Sequence, residues 1–390
     1  MFACRTNWNL TPNALAVALR EHVEHGRELL DLTVSNPTSV GLEYPARQIA
    51  CALAEERSLS YEPSAKGLLT ARQAVAGYYA QRGITVDPER LILTVSTSEA
   101  YSYCFRLLCE PGDEVLIPSP SYPLFEFLAD IQDVRIVPFE LVYDEGWQID
   151  FESLRRVISA RSRAVLVVHP NNPTGSYVKR WELERLNIFC GEHRLALIAD
   201  EVFLDYAVEP GERLSFCGNG EALSFTLSGL SKISGLPQMK LAWIACSGPE
   251  ALVADAINRL EVIADTYLSP NAPVQLATAT LLEVRHIVQR QLGQRIRNNL
   301  AELDAQLSRQ QLCQRLRVEG GWYAVLRAPA VRADEEFALA LLRQSGVLVH
   351  PGHFFNFDRG CFLVLSLITP EEIFCEGLRR LLAFSAMIAT

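Results

Sequence analysis

The chain has 390 residues, 49% of them hydrophobic and 21% charged, which is ordinary for a globular protein of two or three domains. The formal net charge of -10 argues against nucleic acid or an anionic membrane surface as a partner, because phosphate contacts require a basic face. We expect a cytoplasmic protein with reduced thiols, because no apolar run approaches the roughly 18 residues of a membrane span and neither an export signal nor a Cys-x-x-Cys pair is evident.

Seven short apolar runs alternate with helical patterns through the first two thirds of the chain. Most are continuously apolar, as in a sheet covered on both faces, and the segments between them are long enough for crossover helices. The runs lie at 91–96, 114–119, 135–141, 164–169, 195–200, 223–230 and 241–247. This pattern predicts an α/β fold with a large domain, residues 41–285, built on a mostly parallel seven-stranded sheet covered by helices.

A long charged helical stretch begins at about residue 281, and a second α/β pattern follows it. Strand patterns occur at 321–328, 347–351 and 361–368, with a helical pattern at 335–345 and a closing helix from Pro370. We predict that residues 286–390 form a smaller α/β domain that includes the linking helix. Residues 1–40 are predicted to be an N-terminal arm that forms part of this smaller domain.

Four of the apolar runs end in polar groups, at the strand ends where open α/β sheets bind ligands. Thr97 and Ser98 begin a helix, where N–H groups and hydroxyls favour an anion, although helix capping alone would also explain them. Asn172 lies in an NPTG turn, Asp200 closes an all-apolar strand and Lys232 follows another. A buried carboxylate is costly unless it meets a cation. Pyridoxal 5′-phosphate is a cofactor that uses an anion site, an amide, a carboxylate and a lysine together.

Six stretches, in order along nearly the whole chain, resemble the class I/II (fold type I) aminotransferase family, which depends on this cofactor. They read SYEPSAKGLLTAR, TVSTSEAY, EPGDEVLIPSPSYP, HPNNPTG, ADEVFLDY and SGLSKISGLPQMKLAWI. The spacings from Asn172 to Asp200 and from Asp200 to Lys232 also agree with the family. The resemblance implies an aspartate-aminotransferase-like fold with pyridoxal phosphate as cofactor and no metal.

The resemblance assigns a role to each polar group at the strand ends. Lys232 would form the internal aldimine and then act as the general base, which requires a lowered pKa of the kind that partial desolvation supplies. Asp200 would pair with the pyridinium nitrogen, Asn172 would donate to the ring oxygen, and Tyr122 would lie against the ring face. Lys232 and Asp200 are thus the expected catalytic residues.

The phosphate of the cofactor is expected to meet residues from several loops. The resemblance places around it Thr97, Ser98, Ser231 and Lys240. Tyr61 matches the family tyrosine that reaches the phosphate from the neighbouring subunit. The resemblance therefore implies a homodimer with its active sites at the interface.

Four positions depart from the family pattern. Lys240 stands where an arginine is usual, Gly229 where a serine is common, and Phe203 where a tyrosine usually donates to the ring oxygen. Val364 occupies the position of the arginine that binds the substrate carboxylate. Without that forked cation, either another arginine has taken its place or the substrate carries no free carboxylate there.

Two arginines are the nearest candidates for the missing carboxylate anchor. Arg359 lies on the loop before the strand of Val364, and Arg327 follows the GGWYAVL motif. We favour relocation of the anchor over a changed substrate class. Asn36, Phe203 and Arg359 are the predicted substrate-binding residues.

The predicted function is an aminotransferase that exchanges an amino group between a small amino donor and a keto acid. A pyridoxal-phosphate-dependent carbon–sulfur β-lyase shares the fold and the cofactor and is the leading alternative. A sensor domain of a transcription regulator on the same fold is a non-enzymatic alternative. His350 and His353 have metal-like spacing but fall on a loop, and we expect no metal there.

Overall fold

The computed structural model describes residues 1–211 and 213–389, which form twelve helices and fourteen strands. The helices are α1 Ala14–Glu24, α2 Ala46–Leu53, α3 Leu69–Ala80, α4 Thr97–Leu108, α5 Phe125–Asp130, α6 Phe151–Val157, α7 Arg180–His193, α8 Leu230–Ile233, α9 Glu250–Tyr267, α10 Ala272–Leu307, α11 Asp334–Ser345 and α12 Glu371–Ala389. The strands are β1 Leu30–Asp31, β2 Leu91–Thr94, β3 Glu114–Ser119, β4 Arg135–Tyr143, β5 Trp147–Ile149, β6 Ser162–Val168, β7 Ala196–Asp200, β8 Ser224–Gly229, β9 Ala242–Ser247, β10 Gln314–Arg315, β11 Tyr323–Ala328, β12 Val347–Leu348, β13 His350–Pro351 and β14 Cys361–Ser366. None of the helices in these ranges is long and apolar enough to cross a membrane.

The largest sheet has the strand order β2-β9-β8-β7-β6-β3-β4-β5. Its central strands, from β4 through β3, β6 and β7 to β8, are parallel, and β5, β9 and β2 pair antiparallel at the two edges. All seven predicted runs are strands of this sheet, which confirms the α/β architecture. The sheet has one strand more than the seven predicted. The additional strand is β5, which has three residues and pairs antiparallel with β4 after a turn in which Glu145 has a φ of +51°.

Helices cover both faces of this sheet, which explains why its strands are continuously apolar. Leu166 of β6 packs in one cluster with residues of α4 and α9, such as Phe105 and Leu260. Its neighbours Val165 and Val167 point to the opposite face and pack with α6 and α7. Because successive side chains of a strand alternate between faces, a strand buried on both sides needs apolar residues at every position.

The C-terminal part of the chain forms a four-stranded antiparallel sheet of order β10-β11-β14-β13. Strand β1 near the N-terminus pairs parallel with β12, so this part of the N-terminal arm packs with a C-terminal strand. Helix α10 is a single helix of 36 residues that begins earlier than residue 281, at a cap in which Asn271 accepts a hydrogen bond from the Val274 N–H. The predicted boundary between residues 285 and 286 falls inside this helix, and the division at 40 and 285 stays a prediction.

Candidate active site

A cavity of about 140 Å³ opens at the carboxyl edge of the large sheet. It is lined by Ser35, Thr97, Tyr122, Phe125, Val168, Asn172, Asp200, Val202, Phe203, Gly229, Ser231, Lys232, Ala242 and Tyr323. Val168, Asp200 and Gly229 are the last residues of β6, β7 and β8, three neighbouring parallel strands. Because parallel strands end at the same edge, their terminal residues meet there. Seven of the residues predicted from the sequence line this one cavity.

Lys232 lies in α8, a single helical turn that follows β8. The Tyr206 hydroxyl donates to the Lys232 carbonyl oxygen at 2.6 Å. Gln289 of α10 donates to the carbonyl oxygen of Ile233 at 2.8 Å. So short a helix has little stability of its own, and these two bonds from outside the helix hold it in place.

The Lys232 side chain ends between two aromatic rings. Its Nζ lies 4.9 Å from the centre of the Trp322 ring and 5.7 Å from that of Phe203. Burial lowers the pKa of the amine to about 8, and the charge of Asp200 opposes this shift. An amine with this pKa is substantially neutral near pH 8, as a nucleophile or a general base must be.

Asp200 is buried at the end of β7 and keeps two hydrogen bonds. The Tyr101 hydroxyl donates to Oδ2 at 2.7 Å, and the N–H of Val202 donates to Oδ1 at 3.0 Å. Burial raises the pKa of the carboxyl, while the two hydrogen bonds and the charge of Lys232 oppose that rise. A cation placed against this carboxylate would stabilise its charged form.

Asn172 reaches the cavity from the loop after β6. Two hydrogen bonds of the neighbouring Asn171 stabilise this loop. Its side-chain amide donates to the Pro120 carbonyl oxygen at 3.1 Å and to the Thr174 hydroxyl at 2.9 Å. The Oδ1 atom of Asn172 is buried and has no hydrogen-bond partner among the described residues. A buried polar atom without a partner costs on the order of 1–3 kcal/mol, so this amide is suited to meet a polar ligand.

The first turn of α4 borders the cavity at Thr97. The Ser96 hydroxyl accepts from the Glu99 N–H at 3.1 Å, and the Glu99 carboxylate accepts from the Val95 N–H at 2.8 Å. This reciprocal cap fixes where the helix begins, and the positive end of its dipole favours an anion beside Thr97. Ser231, also predicted for the phosphate, lines the same cavity.

Five predicted site residues do not line the cavity. Ser98 is exposed in the first turn of α4, and Lys240 is exposed with a φ of +52°. Asn36 instead caps the turn that follows it, where its Oδ1 accepts from the N–H and the hydroxyl of Thr38 at 3.0 and 2.8 Å. Tyr61 is 79% exposed.

Neither arginine proposed as a carboxylate anchor reaches the cavity. Arg359, the fifth of these residues, lies on an exposed loop. Arg327 lies four residues beyond Tyr323 along β11, roughly 13 Å away at the usual strand rise, and donates to the Gln314 side chain. Neither Arg359 nor Arg327 lines the cavity of this chain, and the relocation of the anchor stays a prediction.

Several residues of the site escaped the sequence-based assignment. Tyr101 lies four residues after Thr97, on the same face of α4, and this spacing could have identified it. Ser35 lines the cavity in place of its neighbour Asn36, and Tyr323 and Trp322 come from β11 and the turn before it.

His353, one of the two histidines with metal-like spacing, contacts a carboxylate. Its backbone N–H donates to Asp334, and its imidazole ring lies within hydrogen-bond distance of the same carboxylate. No group of three or more metal-ligating side chains occurs within residues 1–211 and 213–389.

Known proteins resemble this chain in sequence and in fold. Residues 27–373 match the family model for aminotransferases of class I and II. The chain is 28% identical over 261 residues to the glutamate-pyruvate aminotransferase AlaA of Escherichia coli, a match that covers 66% of this chain but only 64% of that protein. It is 28% identical to the aspartate/prephenate aminotransferase of Thermus thermophilus over 97% of this chain and 96% of that protein. The solved structure of an alanine aminotransferase from Pyrococcus furiosus shares the fold, with a TM-score of 0.89 at 24% identity over 100% of both chains.

Proposed function

Because the chain belongs to the class I and II aminotransferase family, we propose that it is a pyridoxal-phosphate-dependent aminotransferase that moves an amino group between an amino donor and a keto acid. The observation that carries the proposal is the meeting of Lys232, Asp200 and Asn172 in one cavity. The relatives named above are aminotransferases, and none of them is named as a carbon–sulfur lyase. The transfer reaction is therefore favoured over elimination.

The residues of the cavity fit pyridoxal phosphate. Lys232 offers an amine with a lowered pKa that would hold the cofactor through its aldehyde, and Asp200 offers a buried carboxylate that would pair with the ring nitrogen. Asn172 lines the cavity and its NH2 group can donate to the ring oxygen, and Thr97 and Ser231 suit the phosphate. When bound, this cofactor withdraws electrons from the bonds at the substrate carbon that carries nitrogen.

Residues of the cavity have separate roles in the proposed proton transfers. Asp200 would keep the ring nitrogen protonated when the cofactor is bound, and Tyr101 holds the Asp200 carboxylate in place. The Lys232 amine, whose lowered pKa leaves it substantially neutral near pH 8, would act as the general base for the proton on the substrate carbon. Phe203 has no hydroxyl, so Asn172 is left as the side chain that would donate to the ring oxygen.

We propose a homodimer in which Tyr61 reaches the cavity of the second copy. This is supported by the 79% exposure of Tyr61 and the 90% exposure of Leu59, two apolar side chains that a partner would cover. We also propose a cytoplasmic location, supported by ten cysteines that are all free, six of them buried.

The test mixes the cofactor-loaded enzyme with one amino donor and one keto acid and follows both products. Transfer predicts one new amino product for each donor consumed, with no release of ammonia. Release of ammonia and pyruvate from a β-substituted donor, without transfer, would instead show a lyase. The Lys232→Ala variant is the matched control and should be inactive in either reaction.

A further inference from the structure

The chain segment between β10 and β11 lies against two loops at the carboxyl edge of the large sheet. In this segment, residues 318–321, the N–H of Gly320 donates to the Gly175 carbonyl oxygen at 2.9 Å. The N–H of Gly321 donates to the Tyr206 carbonyl oxygen at 2.8 Å. Gly175 belongs to the loop after β6 and Tyr206 to the loop after β7, and both strands end at the cavity. Segment 318–321 is therefore hydrogen-bonded to the two loops beside the candidate cofactor site.

Glycine makes this close contact possible. A Cβ atom at Gly320 would lie 2.7 Å from the Tyr177 ring, and one at Gly175 would lie 2.5 Å from the Gly320 carbonyl oxygen. Gly175 also has a φ of +73°, which favours glycine. The backbones of the segment and of the loop after β6 thus approach each other directly, and the position of the segment is closely defined.

The Glu319 side chain adds a charged part to this contact. Its carboxylate accepts a hydrogen bond from the Tyr177 N–H at 2.9 Å and another from the Lys179 Nζ at 2.6 Å. The same Nζ donates to the Tyr177 carbonyl oxygen at 2.6 Å. The Glu319 side chain is only 14% exposed, so solvent screens these charge-assisted bonds less than it would at the surface.

The two residues that follow segment 318–321 adjoin the catalytic amine. Tyr323 lines the cavity itself. Trp322 is completely buried, and its ring centre lies 4.9 Å from the Lys232 Nζ and 5.2 Å from the centre of the Phe203 ring. Because Trp322 is joined directly to the segment, a displacement of the segment would also displace the ring beside this amine.

We infer that Glu319 is a positioning residue for the proposed transfer reaction, because its carboxylate fixes segment 318–321 and thereby keeps Trp322 beside the Lys232 amine. The inference rests on the proposed function. Glu319 is not among the residues that line the cavity, so it acts through Trp322 and not by contact with substrate or cofactor. Tyr177 and Lys179, which donate to its carboxylate, do not line the cavity either.

The first test compares Glu319→Ala with a matched control at the same segment. Glu209→Ala removes a carboxylate that pairs at 2.8 Å with Arg317, the residue before the segment. The side chains of this pair are 49% exposed for Arg317 and 34% for Glu209, so the pair should contribute little. With loaded enzyme, one amino donor and one keto acid, we expect kcat to fall at least tenfold in Glu319→Ala and to stay within twofold in Glu209→Ala. An unchanged kcat in Glu319→Ala, or equal losses in the two variants, would overturn the inference.

A double-mutant cycle tests whether the effect passes through Trp322. In the Trp322→Leu background, Glu319→Ala should cost less than threefold in kcat, because the ring that Glu319 positions is absent. General destabilisation by Glu319→Ala would instead give the same loss in both backgrounds. Equal losses would therefore show that the two residues act independently and would overturn the inference.

A measurement on the cofactor-free protein tests the inference without any turnover. Lys232 is acetylated at high pH, where its amine is neutral, so the rate reports access of the reagent and not the pKa. A displaced segment opens the cavity, and we expect the rate to rise at least fivefold in Glu319→Ala and to stay within twofold in Glu209→Ala. An unchanged rate in Glu319→Ala would overturn the inference. Absence of transfer by the wild type would contradict the proposed function and leave this measurement to decide whether Glu319 shapes the site.

Circular dichroism in the same buffers confirms that each variant is folded. If Glu319→Ala does not fold, Glu319→Gln replaces it, because its side-chain oxygen can still accept from the Tyr177 N–H while the charge opposite Lys179 is lost. We then expect kcat to fall and the acetylation rate to rise, each at least threefold. Unchanged values in a folded Glu319→Gln would overturn the inference.

Discussion

Replacing Trp322 by leucine removes an aromatic face from the Lys232 amine. The Nζ atom lies 4.9 Å from the centre of the Trp322 ring, within the range in which a ring face attracts an ammonium ion. Trp322 is completely buried, and its indole N–H has no hydrogen-bond partner among the described residues. Trp322→Phe is therefore a matched control that keeps a ring face and breaks no hydrogen bond.

The size of the effect follows from the strength of the contact. A desolvated ammonium gains about 1–2 kcal/mol from an aromatic face, and one pKa unit corresponds to about 1.4 kcal/mol. The ring favours the charged form of the amine, so its loss must lower the pKa further. From the value of about 8 in the wild type, the pKa of Lys232 should fall to roughly 7 in Trp322→Leu and change little in Trp322→Phe.

The pKa is measured on the protein stripped of cofactor, by competitive acetylation between pH 6 and 11 and quantification of the Lys232 peptide. Circular dichroism at each pH confirms that the variants remain folded, because a buried tryptophan is a large side chain to truncate. An unchanged or higher pKa in Trp322→Leu would refute the role of the ring face. An equal fall in Trp322→Phe would show that repacking, and not the ring, causes the shift.

Three further changes test other parts of the site. Asp200→Ala should reduce single-turnover rates by about 100-fold or more, with a smaller loss of cofactor affinity, because the ring nitrogen loses its charged partner. Tyr101→Phe removes the 2.7 Å bond to Asp200 and should lower kcat about tenfold while KM changes little, as steady-state kinetics will show. Gly229→Ala should lower the free energy of unfolding by about 1–3 kcal/mol in urea titrations, because its Cβ would lie 2.8 Å from the Ala242 Cβ and 2.9 Å from the Leu241 carbonyl oxygen.

The large sheet was predictable because its strands are buried on both faces. A strand such as β7 then reads as an unbroken apolar run that ends in a polar residue, here Asp200. Strand β5 escaped prediction because its pairing depends on a turn and not on its own three residues. The edge of the sheet at which the polar residues meet was likewise predictable, since the carboxyl ends of parallel strands coincide.

The parts of the site that depend on tertiary packing were less accessible from the sequence. Nothing local distinguishes Ser35, which lines the cavity, from Asn36, whose side chain closes a turn. Lys240 follows Lys232 by eight residues, but a left-handed turn leaves it exposed. Motif position alone suggested Arg327, although the strand carries it away from the cavity.

The central claim is that Lys232 holds pyridoxal phosphate in this cavity. The most direct test reduces the loaded enzyme with borohydride, digests it and locates the pyridoxyl group by fragmentation mass spectrometry. We predict a stoichiometric label on Lys232 and none on Lys240, an internal control eight residues away. A label on Lys240 or another lysine, or covalent retention of the cofactor by Lys232→Ala, would contradict this assignment.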